Sequence, residues 1–212
     1  MFSKKMTVFA SAIALSTVAV TPAVLADTLT STGDVSFTAP TDVVPPVNPG
    51  DGDTGTGSAG DLVISTIPNL EYGTHEISGK NETYDLTRDN QLQVADRRGA
   101  SATTGKAQGW TVSVKASDFS NGTNTLPGAS INFNKGTVAA LAGETGNAPT
   151  VVANSVDSTK GATPVFAAAV DQGLGQWGAK FSTSDVQLAV PTQVAGNFKS
   201  TLTWSIANTP NA

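Results

Sequence analysis

No cysteine occurs anywhere in the 212 residues. That excludes a disulfide framework and any cysteine-held metal, and it leaves packing alone to hold the fold together. Histidine is nearly as scarce. His75 is the single copy, so multi-histidine zinc sites and facial triads are excluded, and no metal or cofactor is expected. No Gly-x-Ser-x-Gly elbow is present to make a Ser-His-Asp triad around that histidine, and the chain is not expected to be an enzyme. Methionine is limited to Met1 and Met6. Basic charge is in the minority too, with a net charge of −5 for the whole chain. Without Lys4 and Lys5, 10 basic residues face 17 acidic ones, a net −7 that repels nucleic acid and anionic lipid.

Long apolar runs are missing except at the start. Lys4 and Lys5 precede an apolar stretch from Met6 to Val20, Pro22 follows, and Val24-Leu25-Ala26 offers a small-residue cleavage site before Asp27. This is the pattern of an export signal over residues 1–26, too short and wrongly flanked to remain as a membrane span. The protein is therefore expected to be secreted, with no stable membrane span once the signal is removed. The chain closes on Ala207-Asn208-Thr209-Pro210-Asn211-Ala212 without a sorting motif, an apolar span or a basic tail. Retention at a cell surface is thus expected to depend on the folded domain.

What remains reads as strand and turn. Residues 27–39 form a Thr-rich segment with a candidate strand at Val35-Ser36-Phe37. Residues 40–60 carry Pro40, Pro45, Pro46 and Pro49, then a Gly/Asp/Thr run, and read as a linker with nothing to bury. From Asp61 to Ala212 candidate strands fall at 62–67, 83–86, 91–95, 110–116, 130–134, 150–154, 180–183, 186–190 and 199–207. They are separated by Gly, Asn, Asp and Pro clusters such as Ser120-Asn121-Gly122-Thr123-Asn124. Only the region 165–170, with its alanine run, has helical character. The expectation is an all-β sandwich or barrel-like domain of about nine short strands with long loops.

Two of these strands are centred on tryptophan, in Trp110-Thr111-Val112-Ser113-Val114 and Leu202-Thr203-Trp204-Ser205-Ile206. In both, an indole and a branched aliphatic share one face while Thr and Ser take the other. Other motifs are weaker. Asp53-Thr54-Gly55 has the triplet of an aspartic protease half-site, but it lies in the Gly-rich linker and has no second copy. Gly173-Leu174-Gly175-Gln176-Trp177-Gly178 lacks the Lys-Ser/Thr of a phosphate loop and reads as a turn carrying a half-exposed indole. That makes Trp177 a candidate surface contact. Arg97 and Arg98 are candidates too, within a stretch that holds six basic residues between Lys80 and Lys115.

These pieces together resemble the WxL-domain surface proteins of Gram-positive bacteria, over essentially all of residues 27–212. The resemblance rests on the Val35-Ser36-Phe37-Thr38 segment with the Pro45-Pro46-Val47-Asn48-Pro49 stretch, and on Ile67-Pro68-Asn69-Leu70-Glu71-Tyr72-Gly73. It continues in Val94-Ala95-Asp96-Arg97-Arg98-Gly99 leading into Gly109-Trp110, and in Leu202-Thr203-Trp204-Ser205-Ile206 near the end. Val112 and Ile206 stand where the family name expects leucine, a swap that a packed position tolerates at low cost. The likeness implies a noncatalytic protein held noncovalently at the cell wall, with peptidoglycan or another wall polymer as partner. It also implies assembly with other WxL-type or partner surface proteins; the alternative is a structural subunit that binds such a partner and not glycan.

Trp110, Val112, Trp204 and Ile206 are thus either core or glycan contacts. Core indoles replaced by alanine would cost about 3–5 kcal/mol, read as a fall in melting temperature. Contact indoles would abolish wall binding with the melting curve unmoved.

Overall fold

Short runs of branched apolar and hydroxyl-bearing residues between turn-forming clusters become strands. The computed structural model describes residues 29–210, and among these there is no helix. The strands are β1 (Thr54–Gly55), β2 (Leu62–Ile67), β3 (Glu82–Tyr84), β4 (Asn90–Asp96), β5 (Trp110–Ala116), β6 (Ser130–Phe133) and β7 (Thr137–Ala140). After these come β8 (Thr150–Val151), β9 (Asn154–Val156), β10 (Thr163–Ala168), β11 (Gly175–Phe181), β12 (Val186–Val190) and β13 (Leu202–Ala207). The chain forms two units, Met1–Ser36 and Phe37–Ala212. Of the first, residues 29–36 are described; they are exposed and without regular structure, so the strand expected at Val35-Ser36-Phe37 is not formed. The export signal at 1–26 lies outside the described residues.

The second unit is three antiparallel sheets in a sandwich-like arrangement that does not close into a barrel. Their orders are β1-β2-β4-β11-β7, β13-β5-β10-β8 and β3-β12-β6-β9. One core is shared by all three: Leu92, Val94 and Phe181 from the first, Trp110, Val112 and Phe166 from the second, Ile131, Phe133 and Leu188 from the third. In β5 the alternation is complete, with Trp110, Val112, Val114 and Ala116 buried and Lys115 exposed.

Four local readings are corrected. The region 165–170 is not helical but overlaps β10, buried on both faces between β5 and β8. A six-residue apolar run is too short for periodicity to separate strand from helix, and the alanines fit because β10 lies against the Trp110 ring. The strand expected at 180–183 lies earlier, as β11, and takes in the glycine-rich run. The stretch 150–154 is split between β8 and β9, which belong to different sheets. β7 was not foreseen, since Thr137-Val138-Ala139-Ala140 is a short edge with little pattern.

The stretch 40–60 also departs from its composition, because it is docked on the sheet. Val44 is buried against Val63 and Ala95, and Thr54-Gly55 pairs with β2. The buried amide of Gln93 stands in for a partner strand: its Nε2 donates to the Val47 carbonyl at 2.7 Å and its Oε1 accepts from the Val47 N–H at 2.9 Å. Asp53 accepts from the Gln91 N–H at 2.6 Å and from Asn90 Nδ2 at 2.7 Å, so the protease-like triplet is a structural anchor. Composition alone missed this, because the burial is provided by a few isolated residues among prolines and glycines.

Replacing Asp53 by Ala leaves the Gln91 N–H and the buried Asn90 amide short of a partner. The expected cost is about 1–3 kcal/mol, checked by urea unfolding, with the β-type circular dichroism spectrum unchanged in native buffer.

Candidate functional site

The two tryptophan strands are neighbours in one sheet. β13 pairs antiparallel with β5, and the register sets Ile206 opposite Val112, Trp204 opposite Val114 and Leu202 opposite Ala116. The aliphatic residues of the two motifs therefore meet across the ladder, with an indole to either side along the strands. Their fates differ because β5 is an inner strand and β13 an edge.

Trp110 is fully buried. Its ring meets Phe166 edge-on at 5.0 Å, and its Nε1 donates to the Gly173 carbonyl at 3.0 Å. The cradle needs glycine: Gly173 has φ +74°, and a Cβ there would stand 2.6 Å from Trp110 Nε1. Val112 is buried beside it, whereas Trp204 and Ile206 are half-buried.

Trp204 forms one wall of a groove of about 760 Å³. The floor is the sheet of β3, β6 and β12, through Tyr84, Ile131, Leu188 and Val190. The opposite rim is the loop 68–77, with Leu70, Tyr72 and His75, and the mouth is set by Phe119, Gln193 and Phe198. Tyr84, Phe119, Phe198 and Trp204 are all half-buried, so each leaves part of a ring face in the groove. Phe133 packs edge-on against Trp204 from inside, at 6.2 Å and 88°, and fixes the indole plane.

Polar groups are set among these rings. His75 stacks on Tyr84 at 4.0 Å and its Nε2 donates to the Tyr72 carbonyl at 2.5 Å, which fixes the imidazole. Gln193 Nε2 donates to the Tyr84 hydroxyl at 2.8 Å while its Oε1 accepts from the Ser78 N–H at 2.7 Å. Burial pushes the Tyr72 phenol well above its usual range, so it stays neutral at the groove rim. Glu71 is held by Arg88 at 2.7 Å, which leaves Glu76 and Lys199 as the other charges along the groove. The chemistry on offer is shape, ring faces and neutral hydrogen bonds. Among the described residues no cluster of three or more His, Asp or Glu could hold a metal ion.

The expected surface contacts lie elsewhere and face inward. Trp177 is in β11, not a turn, and is buried, with its Nε1 donating to the Leu174 carbonyl at 2.9 Å. Arg98 makes a two-point bond to the buried Asp96 carboxylate at 2.9 and 2.8 Å and also reaches the Gly109 carbonyl. Arg97 bonds to the Asp42 carboxylate and to the carbonyls of Asp42 and Gly60. Both arginines are half-buried and tied to groups of this chain. Sequence reasoning passed over Phe119, Phe198 and Gln193; the one signal for the two phenylalanines was a lone aromatic beside a Gly/Asn turn, as in Gly196-Asn197-Phe198.

The fold and the paired tryptophan strands agree with the comparison of the sequence with known families. The chain belongs to the WxL family: the family model described as "WxL domain surface cell wall-binding" matches residues 25–210. Neither a curated protein nor a solved structure matches the chain. Family membership makes it a surface protein of the cell-wall-binding kind.

The two indoles are separable by experiment. Trp110→Ala should lower stability by about 3–5 kcal/mol through the cavity it leaves. Trp204→Ala should cost roughly half as much, in step with the ring area it removes from burial. Thermal unfolding of the two variants side by side reads the difference, and equal losses would contradict the edge position of Trp204.

Proposed function

We propose that the protein is an exported, noncatalytic surface protein that grips a cell-wall polymer, peptidoglycan in the first instance, in the groove walled by Trp204. The observation that carries this reading is the set of half-buried rings of Tyr84, Phe119, Phe198 and Trp204 lining one open groove in a chain of a wall-binding family. A sugar ring has an apolar face that packs on an aromatic without needing charge, and its hydroxyl and acetamido groups take neutral partners such as Gln193. A net negative surface gives an anionic wall polymer no electrostatic help, which favours a largely uncharged glycan backbone as the ligand.

In this reading the tryptophans divide their labour. Trp110 and Val112 build the core, Trp204 both packs on Phe133 and presents a face to the ligand, and Ile206 closes the sheet beside Val112. The second reading, a structural subunit bound to a partner surface protein instead of glycan, is supported by the free edge of β13.

Sedimentation with wall sacculi stripped of protein separates the two. Direct sedimentation supports glycan binding. Phe198→Ala, at the half-buried mouth, should then weaken it about tenfold, or 1.4 kcal/mol, with an unchanged melting temperature. A chain that stays in the supernatant overturns the glycan reading and leaves the protein partner.

A further inference from the structure

A sheet edge presents unpaired N–H and C=O groups that template another strand unless the edge is short, charged, bulged or broken by proline. Among the described residues the three sheets end on β1, β7, β13, β8, β3 and β9. Five of these run two to four residues. β13 runs six, Leu202–Ala207, with no charged residue, no proline and an unbroken register against β5. β13 also comes close to β2, without pairing to it. Its inner face, Leu202, Trp204 and Ile206, is only half covered. The edge is thus neither short, charged, bulged nor broken by proline.

The chain also carries a strand pattern without a sheet. In residues 29–38 the apolar Leu29, Val35 and Phe37 fall at odd positions, with Ser31 and Gly33 between them, and Thr30, Thr32, Asp34, Ser36 and Thr38 fall at even ones. Extended, such a segment puts its three large apolar side chains on one face, two of them adjacent at Val35 and Phe37, and only polar side chains on the other. Leu29, Val35 and Phe37 are 91, 78 and 91% exposed, and are half of the large apolar side chains left exposed among the described residues. The segment lies inside the stretch matched by the family. Its nine residues reach roughly 30 Å when extended, enough to run the length of a six-residue edge of about 20 Å.

We infer that residues 29–37 of one copy add as a strand to the β13 edge of a second copy. Val35-Ser36-Phe37 has the same apolar-serine-apolar spacing as Trp204-Ser205-Ile206. The pairing therefore sets two apolar side chains beside the half-covered inner face and the serines on the outer one. Backbone hydrogen bonds supply the attraction and the alternation sets the register. Donor and acceptor are different surfaces of the chain, so the contact is head-to-tail and propagates into a ring or a row of subunits. The inference stands on the edge and the segment and does not depend on glycan binding.

The absence of cysteine makes the test direct. The chain from Asp27 onward is prepared as two single variants, Ser36→Cys and Thr203→Cys, both at exposed positions. They are mixed and treated with a short bismaleimide. A covalent heterodimer is expected, at least about tenfold more abundant than the crosslinked species from either variant alone. Adding Phe37→Asp to the first variant should remove it. Sedimentation of the unmodified chain should show mass rising with concentration, and that rise should be lost in Val35→Asp and Phe37→Asp. Circular dichroism should be the same for all variants, since every altered side chain is exposed. A double variant that crosslinks within one chain, while the mixture gives no heterodimer, overturns the inference in favour of self-closure. Unreacted thiols with a monomeric mass at all concentrations, or a heterodimer that survives Phe37→Asp, overturn the pairing itself.

Discussion

The structure depends on the seat of one indole. Trp110 lies in a sheet that must accommodate the largest side chain of the protein at a point where β5, β10 and the turn before β11 converge. Room is made by small residues: Ala168 on β10, and Gly173 at a turn where any side chain would collide with the ring. The bond from Nε1 to the Gly173 carbonyl then turns a steric fit into a fixed distance between two sheets. A tryptophan in an apolar interior needs a partner for its N–H, and here that need places the turn that leads into β11. A second aromatic string, Phe181 to Phe133 to Trp204, extends the same core to the third sheet and out to the groove.

The repeated tryptophan-x-aliphatic spacing is thus one motif with two uses. Residues two apart on a strand share a face, and two antiparallel copies paired at their aliphatic positions place an indole at either end of the pair. On the inner strand the indole is enclosed; on the edge strand the same geometry leaves a ring face open. Val112 and Ile206 at the meeting point are β-branched, which suits a strand interior. Their difference from leucine needs no ligand to explain it.

How far the sequence disclosed this depends on where each signal was stored. β5 and β12 were legible to the residue, because each alternates between turn-forming flanks, and β2 was legible as a short β-branched run between Gly60 and Pro68. β10 was not, because a strand buried on both faces has no period to show, and its alanines reflect the neighbouring ring and not its own propensity. The docking of residues 40–60 was hidden for a related reason: the partner for Val47 is a side chain on β4, and no local pattern announces that a glutamine will act as a strand. The groove was the least legible feature. Its rings come from separate stretches around residues 84, 119, 198 and 204, and no local pattern says that the sheets bring them together. Arg97 and Arg98 were visible as charge but not as internal ties, since their acceptors include backbone carbonyls that carry no sequence mark.

Arg97 has a mechanical consequence. It grasps Asp42 and Gly60 at once, at the two ends of a long excursion, while the Val43–Ala59 bridge closes the neck beside it. The excursion is therefore a loop cinched at its base. A pull transmitted from upstream of Asp42 loads the guanidinium knot and the neck first, and β2 feels it only after they part. The first ties to take such a load are thereby placed outside the sandwich. Tension can let out slack there while the tryptophan core and the groove stay intact.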